Sequence, residues 1–130
     1  MKILFFIILI IFNLHSSVDI ISTKACNFNS LSTSQIKHLF LLNIKQINNQ
    51  PIIVYNRKND KLMNSFNISY LHKESRQLRA YWTRMIFTGQ KQAPLKISNL
   101  YTLKNDRCMI TYKNNYIKIS KKWKELKIYE

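Results

Sequence analysis

Residues 76–89 carry the pattern that most narrows the folds open to this chain. Leu78, Tyr81, Trp82, Met85 and Ile86 recur at the three- and four-residue spacing of one helix face. Arg76, Arg79, Thr83 and Arg84 take the other side. Ser75 stands at the capping position, and Gly89 supplies a residue able to turn left-handed just past the helix end. The spacing predicts a helix over residues 76–87 whose apolar face is central to the core. On that expectation, Trp82→Ala costs about 3–5 kcal/mol.

The rest of the chain gives this helix a small domain to pack into. A length of 130 residues supports one domain. Its first residues read differently. Lys2 precedes an apolar run over residues 3–14, broken only by Asn13. That run fits the h-region of a secretory signal peptide, with His15, Ser16 and Ser17 before the cleavage point. Residues 1–17 are therefore expected to be a signal, which implies export to a periplasm or the exterior. A buried N-terminal element or an uncleaved anchor is the other reading.

Twenty-one basic against 6 acidic residues give a formal charge of +15. Such a balance attracts polyanions, anionic lipid or a small anion. It also arises from composition alone, because Asn, Lys and Ile are used heavily while Gly occurs once and Pro twice. The lysines are dispersed, and no nucleic-acid motif accompanies them, so no specific nucleic acid is expected. Cys26 and Cys108 either form one disulfide in an oxidising compartment or sit as two buried thiols. His15, His38 and His72 are scattered, and neither a metal site nor a cofactor is expected. The acidic residues Asp19, Asp60, Glu74, Asp106, Glu125 and Glu130 show no paired spacing. No Ser/His/Asp or Cys/His arrangement stands beside them, so the chain reads as non-enzymatic.

Elements follow from local pattern. Residues 18–22 read as a β-branched strand. Leu31 and Ile36 form a hydrophobic staple around a Ser32–Gln35 capping box, with Ile36, Leu39 and Phe40 facing inward. Residues 48–51 read as a turn, and residues 52–55 as an apolar strand buried on both faces. Residues 56–59 read as a polar loop. Asp60 is the expected cap of a helix presenting Leu62, Met63, Phe66 and Tyr70. Residues 91–96 form a loop around Pro94. Ser98 or Asn99 opens a short helical turn through Leu103. Residues 108–112 and 116–119 read as a hairpin joined at Lys113, Asn114 and Asn115. Residues 121–130 read as a basic tail around Trp123. The order implies an α/β domain over residues 18–120, a mixed sheet with helices packed on it.

The wording of several segments adds a resemblance. QLRAYW at residues 77–82, FTG at residues 87–89, Leu31-Ser32, IKHLFL at residues 36–41, Pro94 and the strand at residues 109–112 occur in one order. Together they resemble small exported relatives of the substrate-binding protein of the phosphate ABC transporter. The resemblance implies one lobe of a periplasmic binding protein-like fold. It also implies an anion site in the loop after the second strand and at the following helix start. There the family uses a serine and an arginine; this chain has Asp60 and Met63. Family glycines are replaced by Leu42 and Thr111. Arg57, with Lys58 and Lys61, remains as the donor set for an oxyanion, unless these are solvated loop charges.

The resulting expectation is an exported, receptor-like binding module with degenerate or weak phosphate-like oxyanion binding. Two other classes stay open. One is an envelope structural or partner-binding protein without a small ligand. The other is a secreted, basic polyanion binder.

Overall fold

The computed structural model describes residues 18–104 and 106–130. The expected signal, residues 1–17, lies outside the described residues. The chain begins with β1 (Val18–Thr23), β2 (Ser30–Ser32), α1 (Thr33–Phe40), β3 (Gln46–Ile47), β4 (Gln50–Pro51), β5 (Ile53–Val54) and β6 (Asn56–Arg57). Then come α2 (Asp60–Phe66), a π-helical turn (Asn67–Leu71), α3 (Ser75–Phe87), β7 (Lys96–Ile97) and a 3₁₀ turn (Leu100–Thr102). β8 (Met109–Asn114), β9 (Trp123–Glu125) and β10 (Lys127–Tyr129) follow.

A four-stranded mixed sheet in the order β5-β8-β1-β9 organises the molecule. β1 and β8 are antiparallel, with Asp19 opposite Lys113, Ile20 opposite Tyr112 and Ser22 opposite Ile110. β5 joins β8 in parallel, and β9 joins β1 antiparallel. Period-two alternation then separates two faces. Val18, Ile20, Ile110 and Tyr112 point into a core shared with α1 and α2. Ile21 and Met109 point the other way, onto Trp123, with Tyr55, Leu100 and Ile119 packed around them.

Aromatic packing forms the centre of the first core. Phe66 lies flat on Tyr112, centroids 4.1 Å apart and planes 5° apart. Phe40 tilts onto Phe66 at 4.5 Å, and Tyr70 stacks with Phe66 at 5.4 Å. α1 is set onto this layer by the expected capping box: Ser32 Oγ accepts from Gln35 N–H, and Gln35 accepts from Ser32 N–H. Leu31 and Ile36 are both buried on either side of that cap. The turn at residues 48–51 is a tight hairpin. Asn48 and Asn49 hold φ values of 50° and 64°, the sign a primed two-residue turn requires.

Cys26 and Cys108 are joined by a disulfide whose Cα atoms lie 4.5 Å apart. The bond ties the loop after β1 to the residue before β8. Beside it, Thr23 Oγ1 donates to Arg107 O at 2.6 Å and accepts from Met109 N–H at 3.0 Å. A closed loop of this length contributes about 4 kcal/mol in the chain-entropy model.

Several expectations change. The strand read at residues 52–55 as buried on both faces is β5, a sheet edge, with Ile53 and Tyr55 half-buried. It continues past its partner: Tyr55 N–H donates to Ile110 O, then Asn56 N–H donates to Leu95 O. The residues read as a polar loop therefore include β6, paired in parallel with β7. β7 in turn takes Lys96 out of the loop read around Pro94. The hairpin at Lys113–Asn115 is absent, because β8 pairs with β1 and β5 and residues 116–119 are not strand. The segment read as a basic tail holds two strands: β9 completes the sheet, and β10 runs parallel to β2. Its lysines alternate with Trp123, Leu126 and Ile128, which face inward or are half-buried.

Helix starts move by one residue. Asn59, not Asp60, caps α2, its Oδ1 accepting from Leu62 N–H at 3.1 Å. Glu74, not Ser75, takes the cap of α3, and Gln77 Oε1 accepts from Glu74 N–H. Ser75 instead donates to Asn64 of α2. The largest correction concerns the face of α3. Leu78 is buried, but Tyr81, Trp82 and Met85 are half-buried and Ile86 is exposed. α3 joins the core through Leu78, while Tyr81 and Trp82 pack against its margin. Gly89, with φ 71°, ends it as expected.

Candidate anion-binding hollow and the cleft beneath α3

β6 decides where Arg57 goes. Because Asn56 and Arg57 are strand, the Arg57 side chain is directed across the end of β8 rather than into solvent. Arg57 Nη1 donates to Tyr112 O at 2.7 Å, and Arg57 N–H donates to Tyr112 Oη at 3.3 Å. Tyr112 Oη donates to Asn56 Oδ1 at 2.9 Å. Arg57 Nε is buried and has no hydrogen-bond partner among the described residues. Burial pulls the guanidinium below its ordinary value, and the neighbouring Tyr112 opposes that shift. Burial also pushes the Tyr112 phenol far up, with Arg57 pulling weakly the other way. Both groups therefore keep their protons through the neutral range.

Arg57 stands on the wall between two adjoining hollows. The first, about 270 Å³, is also lined by Lys58, Asn59, Ser98, Lys113 and Asn114. The second, about 160 Å³, adds Asn99, Lys118, Ser120 and Trp123. Lys58 is exposed beside Arg57, as the sequence placed it. Lys61 is exposed on α2 and lines neither hollow. The expected donor set thus loses one member and gains another.

The addition is Lys113, read in the sequence as a turn residue. Its side chain is 3% exposed, and Nζ lies 3.1 Å from Asp19 Oδ2 and 3.3 Å from Glu125 Oε1. Asp19 faces it across the β1/β8 register, and Glu125 comes from β9. A buried ammonium needs such partners. Only alternation could have located it: Lys113 shares a face with Met109 and Thr111. Two of the three cations at the first hollow already spend donors on the protein. Asn59 likewise takes the Leu62 N–H at the start of α2. Any anion there meets a partly satisfied site.

Asp60 and Met63, which the resemblance leads one to expect at an anion site, line neither Arg57 hollow. Asp60 is exposed in the first turn of α2. Met63, three residues on, is half-buried and lines a separate cleft of about 440 Å³. This cleft is the gap between α3 and the α1/α2 layer. Phe40, Met63, Leu71, Leu78, Trp82 and Ile86 make its apolar wall. Arg79 and Lys96, both exposed, line its open side. No spacing rule announces such a cleft, because it comes from how far α3 stands off its neighbours.

α3 itself is held at one edge. Tyr81 Oη donates to Leu41 O at 3.2 Å, Lys91 Nζ lies 5.5 Å from the Tyr81 ring centroid, and Tyr81 meets Trp82 edge-on at 4.9 Å. Among the described residues, no His, Cys, Asp or Glu cluster could hold a metal ion, and no helix is long and apolar enough to cross a membrane. The chain matches no protein-family model and no curated protein.

Proposed function

We propose that this chain is an exported, non-enzymatic binding module, built on one lobe of a periplasmic binding protein-like fold. Its binding of a phosphate-like oxyanion is weak and centres on Arg57. The observation that carries this reading is the meeting of Arg57, Lys58 and Lys113 around one hollow. Arg57 and Lys113 come from distant parts of the chain, so their convergence is a product of the fold. The binding is weak for a physical reason. Lys113 is neutralised by two carboxylates, Arg57 bonds to a carbonyl, and Lys58 is exposed to salt screening. A single lobe leaves the anion facing water, where each contact is worth little.

Calorimetry with phosphate and sulfate tests the reading. Millimolar affinity that falls severalfold in Lys58→Gln, an exposed site that leaves the core intact, is the expected result. Micromolar affinity unaffected by Lys58→Gln and Arg57→Gln would move the site elsewhere. A second reading, an envelope partner-binding protein, draws support from one observation. Phe87 is 88% exposed, near Ile86 at 56%, at the end of α3. Site-specific photo-crosslinking from position 87 in the intact envelope tests it: a discrete adduct supports a partner, and none opposes it.

A further inference from the structure

We propose that the cleft beneath α3 is a second site, separate from the Arg57 hollow, that binds a single-chain anionic amphiphile. Its hydrocarbon chain lies between Trp82 and the wall formed by Phe40, Met63 and Leu71. Its acid group meets Arg79 and Lys96.

Three observations converge on this. The cleft holds about 440 Å³, within the roughly 300–1,000 Å³ usual for small-molecule sites. Its walls are mostly apolar side chains from α1, α2, the π-helical turn and α3, with Asn56, Asn67, Ser75 and Thr83 among them, and Trp82 and Ile86 remain incompletely covered by protein. An apolar ligand would supply the burial that the fold leaves undone. The charges at the open side have one sign. Arg79 and Lys96 line the cleft, no Asp or Glu lines it, and Arg79 also faces an outer hollow shared with Arg76 and Arg84. Apolar walls with cations at the mouth complement a hydrocarbon carrying one acid group. They do not complement an inorganic anion, which would gain nothing from the walls. An acidic peptide is the less fitting occupant, because Asn56, Asn67, Ser75 and Thr83 would pair few of its backbone amides and carbonyls and the rest would lie against the apolar wall.

The site has an internal reporter. Trp82 lines the cleft, whereas Trp123 is buried on the other sheet face. Titration of the full protein with monomeric dodecanoate, below its micelle concentration, should saturate a change in Trp82 emission. Trp82→Phe should abolish that change while Trp123 still emits. Affinity should rise about fourfold per methylene from octanoate to dodecanoate. Arg79→Gln with Lys96→Gln should weaken dodecanoate about tenfold and leave dodecanol unchanged. Ala93→Trp, at an exposed residue on the rim, should block binding with the circular dichroism spectrum unaltered. Inorganic phosphate should not compete, so loss of the Arg57 site would leave this result intact.

Unsaturated titration to the micelle concentration would overturn the proposal. So would wild-type affinity in Ala93→Trp, or dodecanol binding as tightly as dodecanoate. Binding confined to phosphatidylglycerol vesicles, with no response to monomeric dodecanoate, would also overturn it, in favour of a membrane-surface contact.

Discussion

Phe40, Phe66 and Tyr112 pack in a fully buried layer, whereas Tyr81 and Trp82, also aromatic and at helix spacing from the buried Leu78, stay half-buried on α3. The two regions differ in what lies behind them. Tyr112 sits on β8, flanked by β1 and β5, and it receives α1 and α2 on its face. α3 gives the core one buried side chain, Leu78, with Tyr81 and Trp82 at its margin, and a cleft runs along part of its apolar face. An amphipathic stripe therefore reports that a helix has an inner face, and not how deep that face lies. Cohesion belongs to the sheet and its aromatic layer. α3 is the element with apolar surface left to give to a ligand.

Substitutions can break this comparison. Phe66→Ala removes the ring shared by Phe40, Tyr70 and Tyr112 and should cost about 4 kcal/mol, read from the urea midpoint. A loss near 1 kcal/mol would show that the layer is not the core. Replacing Cys26 and Cys108 together by Ser should cost about 3 kcal/mol, less than the loop-entropy figure if the reduced chain retains structure. An unchanged midpoint would place the clamp outside the cooperative unit.

The alkaline limb sharpens the same point. Burial raises the Tyr112 phenol, and it raises Tyr70 with a smaller push from Asp19. An unfolded tyrosine loses its proton near 10. The unfolded state then releases protons that the folded state keeps, so this stabilisation is complete below pH 10 and falls as pH rises above it. Tyr112→Phe should flatten that decline, measured by denaturation from pH 9 to 11.5. Persistence of the full decline in the variant would show that Tyr112 is not its source.

Smaller effects belong to α3. Trp82→Ala should cost about 1 kcal/mol, well below the 3–5 kcal/mol expected of a central core ring. Phe87→Ser should change stability by less than about 0.5 kcal/mol, because the ring is exposed. A cost above 3 kcal/mol for Trp82→Ala would erase the distinction between the two regions.

What was legible in the sequence follows the same division. Local chemistry announced the capping box at Ser32, the turn at Asn48 and Asn49, the Asn99 turn and the Gly89 stop, since each depends on a few adjacent residues. The strand at Val18 was readable from its β-branched residues, and the α/β class from the order of elements. Pairing between distant segments was not. β9 and β10 lie in a lysine-rich stretch whose short strands gain stability from pairing with β1 and β2 and from burial of Trp123 and Leu126, so local propensity is silent there. For the candidate site, Arg57 and Lys58 were named, yet Lys61 falls outside and Lys113 was missed. Its burial rests on Asp19 and Glu125, 94 and 12 positions away in a chain of 130 residues. Leu42 is a subtler case. It adopts φ 59°, a conformation that favours glycine and that side-chain pattern does not announce.

Amide hydrogen exchange of the intact protein, resolved by residue, tests the central division most directly. Amides of β1 and β8 should exchange only through global unfolding, while those in the second half of α3 should exchange through local opening at least a hundredfold faster. Dodecanoate should slow the α3 amides and leave those of β1 and β8 unchanged. Equal protection of α3 and the central strands, with or without dodecanoate, would contradict the account.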